Sequence, residues 1–132
     1  MHIPYKGPER RKNDRIKVNF IVIFQVNKPA HVLMLVGGRE IDSLMLDLSQ
    51  TGMAILASYN IPVMTGLLIK FTFINVDAVS DDERVRSMEI VGEVRNCAKE
   101  GKDEYRLGIA FTGIKEQDKA AIFNLVKAGL NR

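Results

Sequence analysis

This chain is poor in the residues that build covalent cross-links and metal sites. Cys97 is its single cysteine, and its two histidines, His2 and His31, stand far apart without acidic or cysteine companions at ligand spacing. An internal disulfide is therefore excluded, and a lone thiol is typical of a protein from the reducing cytoplasm. The same shortage predicts that the protein holds no metal ion.

Long apolar runs and an export signal are missing as well. The longest apolar stretches, near residues 20–24 and 61–69, are too short or too interrupted to reach the roughly 20 residues that cross a bilayer. Residues 1–8 contain no apolar signal core. These features predict a soluble, cytoplasmic chain without membrane insertion.

Patterns for catalysis are also lacking. The sequence contains no phosphate-binding loop of the G-x-x-x-x-G-K-[ST] type. It has no arrangement of Ser, His and Asp, or of Cys and His, that would activate a nucleophile. We therefore predict that the protein is not an enzyme and that it uses no cofactor.

The composition indicates one globular domain of modest size. The 132 residues are 46% hydrophobic and 27% charged, which suits a single folded core rather than a disordered chain. Nineteen Lys and Arg against 16 Asp and Glu give a formal charge of +3. This small excess fits a small anionic ligand as well as a nucleic acid, whereas a duplex-binding protein usually concentrates more positive charge on one element.

Apolar and polar residues alternate through most of the chain, which predicts β-strands. In the first run, every second residue from Ile16 to Val26 is apolar and shares one face. A later run at residues 32–36 is followed by Gly37-Gly38, which predicts a hairpin turn. Strands are predicted at residues 15–26, 32–36, 43–49, 53–56, 67–76, 85–97 and 105–111.

The period changes only near the C-terminus, where apolar residues recur at helical spacing over residues 116–130. Strands first and one amphipathic helix last predict an antiparallel β-barrel packed against a C-terminal helix. Residues 1–9, with two prolines, are predicted to form a flexible N-terminal arm, and residues 10–132 the domain. The acidic connection at 77–83 is predicted to be a mobile hairpin tip.

The most specific polar pattern is Asp47-x-Ser49-x-x-Gly52. On an extended strand Asp47 and Ser49 point the same way, so we expect both on the outer barrel surface, with Leu46 and Leu48 facing the core. The carboxylate would accept the adjacent N1–H and N2–H₂ donors of guanine, and the serine would bind a ring nitrogen or a phosphate oxygen. Gly52 permits a positive φ and lets a ligand approach the backbone closely. Taken alone, the pattern is also typical of an Asx-type turn that satisfies its own backbone.

A second pattern, Arg10-Arg11-x-x-x-Arg15, precedes the first strand. A guanidinium group can donate two hydrogen bonds to guanine O6 and N7, bind phosphate with two donors, or stack on a purine. Taken alone, a basic stretch of this kind is more often a solvated arm. Arg95 and Arg106 fall on later predicted strands, and we interpret them as solvent-facing side chains outside the site.

The two patterns in this order, combined with the alternating strands and the terminal helix, resemble those of PilZ domains over about residues 9–130. The resemblance implies a six-stranded antiparallel PilZ-type barrel and a bacterial receptor for the second messenger cyclic di-GMP. Arg10 extends the first motif to R-R-x-x-x-R, which in that family accompanies the binding of two stacked messenger molecules. The residues to which the resemblance assigns ligand binding are Arg10, Arg11, Arg15, Asp47, Ser49 and Gly52.

The leading hypothesis is a stand-alone receptor that binds cyclic di-GMP and orders its N-terminal arm. The signal would pass to an unidentified effector protein in motility, biofilm or pilus control, with the receptor a monomer or weak dimer. One alternative is an adaptor that acts without a ligand. Another is a single-stranded nucleic-acid binder, although the three Tyr and six Phe fall mostly on predicted core faces rather than beside basic residues.

Overall fold

The computed structural model describes residues 16–74 and 85–130. The predicted arm (1–9) and the predicted hairpin tip (77–83) lie outside these ranges. The described elements are β1 (Ile16–Lys28), α1 (Ala30–Val36), β2 (Ile41–Leu48), β3 (Gly52–Ala57), β4 (Gly66–Ile74), β5 (Val85–Gly101), β6 (Glu104–Gly113) and α2 (Glu116–Leu130).

The six described strands close into one barrel in the order β1-β2-β3-β6-β5-β4. Every neighbouring pair is antiparallel, including β1 with β4, the pair that completes the closure. Closure pairs the strand edges that an open sheet would leave exposed. The prediction of a six-stranded antiparallel barrel with a C-terminal helix is confirmed.

Alternate residues of the strands fill the barrel interior. In β1, Val22, Phe24 and Val26 are each at most 2% exposed, as their spacing predicts. The other strands contribute Met45, Leu48, Met53, Ile55, Leu67, Ile69, Met88, Ile90, Val94 and Leu107. These side chains form one continuous core, and burying each of the larger ones contributes about 1.5–3 kcal/mol to folding.

The strand predicted for residues 32–36, and the hairpin turn after it, are wrong because this segment is helix α1. Val32 and Val36 are one helical turn apart, so they share a face, and both are buried. Gly37 ends the helix with a left-handed φ of 74°, a conformation that glycine adopts without strain. The two glycines therefore terminate a helix instead of joining two strands.

An irregularity in β2 overturns the predicted facing of its side chains. The pairing of β2 with β3 shifts register between Met45 and Asp47. Met45, which on an extended strand shares the face of Asp47 and is therefore expected to point outwards, is fully buried. Leu46, predicted to face the core, is only half-buried. Leu48 is in the core as predicted. A bulge of this kind resets the alternation of the strand just before its polar turn.

Helix α2 begins and ends at the predicted residues. Ile122 and Val126, four residues apart, are both buried. In its first turn, Asp118 accepts a hydrogen bond from Nη2 of Arg86 on β5 at 2.9 Å, and the Asp118 side chain is only 7% exposed. This ion pair attaches the start of the helix to the barrel. Neither helix in the described ranges is long and apolar enough to span a bilayer.

Candidate functional site

The D-x-S-x-x-G motif occupies the end of β2, the turn that follows and the start of β3. The Ser49 amide donates to the Gly52 carbonyl oxygen at 2.9 Å, which closes a tight turn. On the other side of β2, the register with β1 places Lys17 opposite Asp47. The first residues of β1 and the motif are therefore neighbours on the barrel wall.

Asp47 is buried and forms an ion pair with Arg106 of β6. Nη2 of Arg106 donates to Oδ2 of Asp47 at 3.2 Å, with the aspartate side chain 8% exposed and the arginine side chain 40% exposed. Only β3 separates β2 from β6 in the barrel, so a long side chain reaches from one to the other. The prediction that Asp47 lies exposed on the outer surface is wrong, because its side chain is buried and paired with Arg106.

Ser49 is fully buried, which also contradicts its predicted exposure. Its hydroxyl oxygen accepts the Thr51 amide at 3.2 Å, and the hydroxyl lies 3.3 Å from the Gly52 carbonyl oxygen, to which it donates. The serine thus stabilises its own turn, which is the local role that the sequence pattern also allowed.

Gly52 does not use the positive φ that a glycine permits, since its backbone is not left-handed, and it is required for another reason. A Cβ atom at this position would overlap the Ile109 carbonyl oxygen and would lie 3.3 Å from the Ile109 carbonyl carbon and 3.4 Å from Cα of Ala110. Gly52 pairs directly with Ala110 across β3 and β6. The neighbouring strand approaches too closely for a side chain.

A cavity of about 300 Å³ lies beside this turn. Its lining includes Gly52 and the polar side chains of Arg95, Asn96 and Arg106. Arg95 is 56% exposed and pairs with Glu93 at 2.8 Å. Guanidinium groups are the donors that best match phosphate oxygens and the acceptor edge of a purine. The cavity is therefore chemically suited to an anionic nucleotide.

Arg106, interpreted from the sequence as a residue outside the site, pairs with Asp47 and lines the cavity. Strand alternation places it correctly on the outer face of β6, between the motif turn and solvent, but the sequence does not reveal which strand lies beside β6. Arg95 is exposed as predicted, yet it lines the same cavity.

The predicted arginine clamp falls outside the described residues. Arg10, Arg11 and Arg15 all precede Ile16, where the described part of the chain begins. Their role in ligand binding stays a prediction.

A larger open groove of about 920 Å³ lies away from the motif, between β1, β4, β5 and the start of α2. Its lining includes Phe20, Phe71, Lys70, Arg86 and Asp118. Lys70 of this groove pairs with Glu40 at 3.0 Å and Arg86 with Asp118 at 2.9 Å, just as the two arginines of the smaller cavity pair with acidic residues. Because none of the motif residues lines this groove, the smaller cavity is the candidate site despite its size.

The fold is a closed antiparallel barrel with a C-terminal helix. A buried carboxylate, paired with an arginine, lies beside a cavity lined by cationic side chains. The protein is thus a small β-barrel domain with a polar binding face. The model of the PilZ domain family matches residues 9–128. The chain belongs to the PilZ domain family.

The solved structures that share this fold include the following three. The Bacillus subtilis inhibitor of motility, MotI/DgrA, has a TM-score of 0.70 at 17% identity over 98% of this chain, which spans only 58% of the MotI chain. The PilZ domain of YcgR from Escherichia coli, solved with c-di-GMP, has a TM-score of 0.61 at 14% identity over 93% of each chain. MrkH, described as a c-di-GMP-dependent transcription regulatory factor, has a TM-score of 0.60 at 11% identity over 93% of this chain and 52% of its own. Among curated proteins, no relative matches the chain.

Proposed function

We propose that this protein is a receptor for cyclic di-GMP that passes the signal to a protein partner. Its family, the intact R-x-x-x-R and D-x-S-x-x-G motifs and its likeness to a YcgR domain solved with that ligand all support this function. The likeness to an inhibitor of motility supports a role in controlling movement. A cytoplasmic location and roles in biofilm or pilus control belong to the same proposal.

One observation carries the proposal furthest, namely the register between β1 and β2. Ile16, which follows Arg15 directly in the chain, lies opposite Leu48, and Lys17 lies opposite Asp47. Paired antiparallel strands are about 5 Å apart. The arginine motif is thus continuous in sequence with the strand that borders the aspartate, which favours a single site built from both motifs.

The chemistry assigns complementary tasks to the two motifs. A carboxylate accepts two adjacent donors, and guanine offers N1–H and N2–H₂ side by side. The arginines supply donors for guanine O6 and N7 and for the two phosphates of the messenger. Burial of Asp47 strengthens its hydrogen bonds to a base, because a low local dielectric increases electrostatic attraction.

To explain how the signal passes to the partner, we propose that the N-terminal arm closes over the bound messenger. The partner protein then recognises the surface that this closure forms. Fixing the arm costs roughly 1–2 kcal/mol per ordered residue. Charge-assisted hydrogen bonds from its arginines to phosphate offset that cost. The relay therefore depends on the messenger and is lost in its absence.

Calorimetric titration with cyclic di-GMP tests this function. We expect the unaltered protein to bind one or two messengers, and we expect Arg11→Ala and Arg15→Ala each to lose at least tenfold in affinity. Arg39→Ala is the matched control, because it also removes one arginine. Arg39 donates to the Tyr59 hydroxyl at 2.8 Å and lies just before the start of β2, whereas Asp47 lies near the end of that strand. Undiminished binding by both motif variants would refute the clamp, and absence of binding by the unaltered protein would refute the function.

A ligand-independent adaptor is the second candidate, because Asp47 and Ser49 make internal contacts that would serve the fold alone. A thermal melt separates the two functions. A ligand present at a hundred times its Kd stabilises the folded state by about 2.7 kcal/mol, which raises the Tm by roughly 8 °C in a domain of this size. An unchanged Tm at millimolar cyclic di-GMP would favour the adaptor.

A further inference from the structure

The contact between Arg106 and Asp47 joins two residues that are 59 positions apart in sequence. The aspartate side chain is 8% exposed, so its carboxylate has little access to water. A buried carboxylate is strongly disfavoured unless a donor compensates it. Arg106 supplies such a donor, and the orientation of the carboxylate is therefore tied to the position of the guanidinium group.

The strand register explains how the arginine reaches across β3. Asp47 lies opposite Ala54, and Ala54 lies opposite Gly108. Arg106 is two residues from Gly108 and so shares its face of β6. Ala54 is the β3 residue opposite Asp47, and its short side chain leaves space for an arginine side chain over the wall of the barrel.

Arg106 touches the cavity as well as the carboxylate. Its side chain is 40% exposed and forms part of the lining together with Thr51 and Gly52. A guanidinium group has five N–H donors, and a carboxylate accepts about four hydrogen bonds. The single hydrogen bond from Nη2 to Asp47 therefore leaves further N–H donors of Arg106 for a ligand.

We propose that Arg106 is a positioning residue of the guanine-recognition site, which holds the Asp47 carboxylate in the orientation that accepts the N1–H and N2–H₂ donors of the base. This inference rests on the proposed binding of cyclic di-GMP. It adds β6 as a third segment of the site, beside the arginine motif and the D-x-S-x-x-G turn. The guanidinium group stays paired with the aspartate when the messenger binds.

The role has a signature that a purely structural contact lacks. If Arg106 aims the carboxylate, its loss weakens recognition of the guanine N2 amino group in particular. Cyclic di-IMP, whose hypoxanthine bases lack that amino group, is the probe. A general loss of stability would instead weaken the binding of both dinucleotides by the same factor.

The experiment is a calorimetric titration of the full chain with cyclic di-GMP and with cyclic di-IMP. We expect Arg106→Ala to bind cyclic di-GMP at least tenfold more weakly and to lose most of its preference for it over cyclic di-IMP. Arg106→Lys, which keeps a cation able to reach Asp47, should recover part of both. The double variant Asp47→Asn with Arg106→Ala should bind no more weakly than Asp47→Asn alone, because the arginine acts through the aspartate.

The comparison is made at a temperature at which a thermal melt shows each variant to be folded, with Arg39→Ala as the control for loss of one positive charge. If Arg106→Ala does not fold, the test rests on Arg106→Lys, whose preference for cyclic di-GMP over cyclic di-IMP should be reduced. The inference would be overturned if the folded Arg106 variants kept both their affinity for cyclic di-GMP and their preference for it over cyclic di-IMP. It would also be overturned if Arg106→Ala lost affinity for both dinucleotides by the same factor and this loss added to the loss caused by Asp47→Asn. Failure of the unaltered protein to bind cyclic di-GMP would overturn the proposed function itself, so the two failures are distinguishable.

Discussion

Replacing Gly52 with alanine puts a methyl group where the backbone of β6 already lies. The new carbon would overlap the Ile109 carbonyl oxygen and sit 3.3 Å and 3.4 Å from two further backbone atoms of Ile109 and Ala110. Carbon atoms normally approach no closer than about 3.5 Å. Since these neighbours belong to a paired strand and not to a flexible side chain, β3 and β6 must move apart.

Overpacking of this kind typically costs 1–3 kcal/mol, and the rigid neighbours place Gly52→Ala near the upper end. A loss of about 3 kcal/mol lowers the Tm of a domain of this size by roughly 10 °C. Chemical denaturation and a thermal melt measure the two quantities independently. Gly101→Ala is the matched control, because a Cβ there meets only the Glu104 side chain, at 3.1 Å, and should change stability by no more than about 0.5 kcal/mol. If Gly52→Ala melts within 2 °C of the unaltered protein, the close approach of the two strands is not the reason for this glycine.

Three further substitutions have defined outcomes. Ser49→Ala removes the acceptor of the Thr51 amide and a donor to Gly52, so it should cost about 1 kcal/mol in urea denaturation, and an unchanged midpoint would contradict the role of the hydroxyl in the turn. Asp118→Asn breaks the ion pair with Arg86. Because the arginine is partly exposed, we expect the free energy of unfolding to fall by about 1–2 kcal/mol and hydrogen exchange in the first turn of α2 to become faster. Unchanged exchange would contradict the anchoring role of the pair. The hydrogen bond from Lys70 to Glu40, followed by their attraction, raises the pKa of Lys70, so Glu40→Gln should lower that pKa in an NMR titration. The stabilisation from this pair is present below the pKa of an unfolded lysine and is lost as the pH rises through the raised pKa, so the two proteins should converge in stability at high pH, and a difference that persists there would contradict this linkage.

The strands and the terminal helix were predictable because their apolar residues follow a clear period. Val22, Phe24 and Val26 alternate, and Ile122 and Val126 keep helical spacing; both sets are buried as expected. Helix α1 was not predictable in this way, since residues 32–36 are all apolar and carry no period. The segment folds as a helix because Val32 and Val36, which lie one helical turn apart, are the two residues that pack into the core.

The polar site was only partly predictable for a related reason. The residue types at Asp47 and Ser49 were evident from the sequence, but their burial depends on a register shift after Met45 that no local pattern signals. The contribution of Arg106 depends on β6 lying beside β3. Such a neighbour relation is a property of the closed barrel and not of any short segment.

The central claim is that one site on the barrel wall, made from the D-x-S-x-x-G turn and the adjoining strands, binds cyclic di-GMP. Two-dimensional ¹H–¹⁵N NMR of the labelled protein during a titration with cyclic di-GMP tests it most directly. We expect the largest amide shifts at residues 47–52 and at Arg106, with helix α1 little changed. Saturable shifts confined to the groove at Phe20, Phe71 and Asp118, with residues 47–52 unmoved, would contradict the claim.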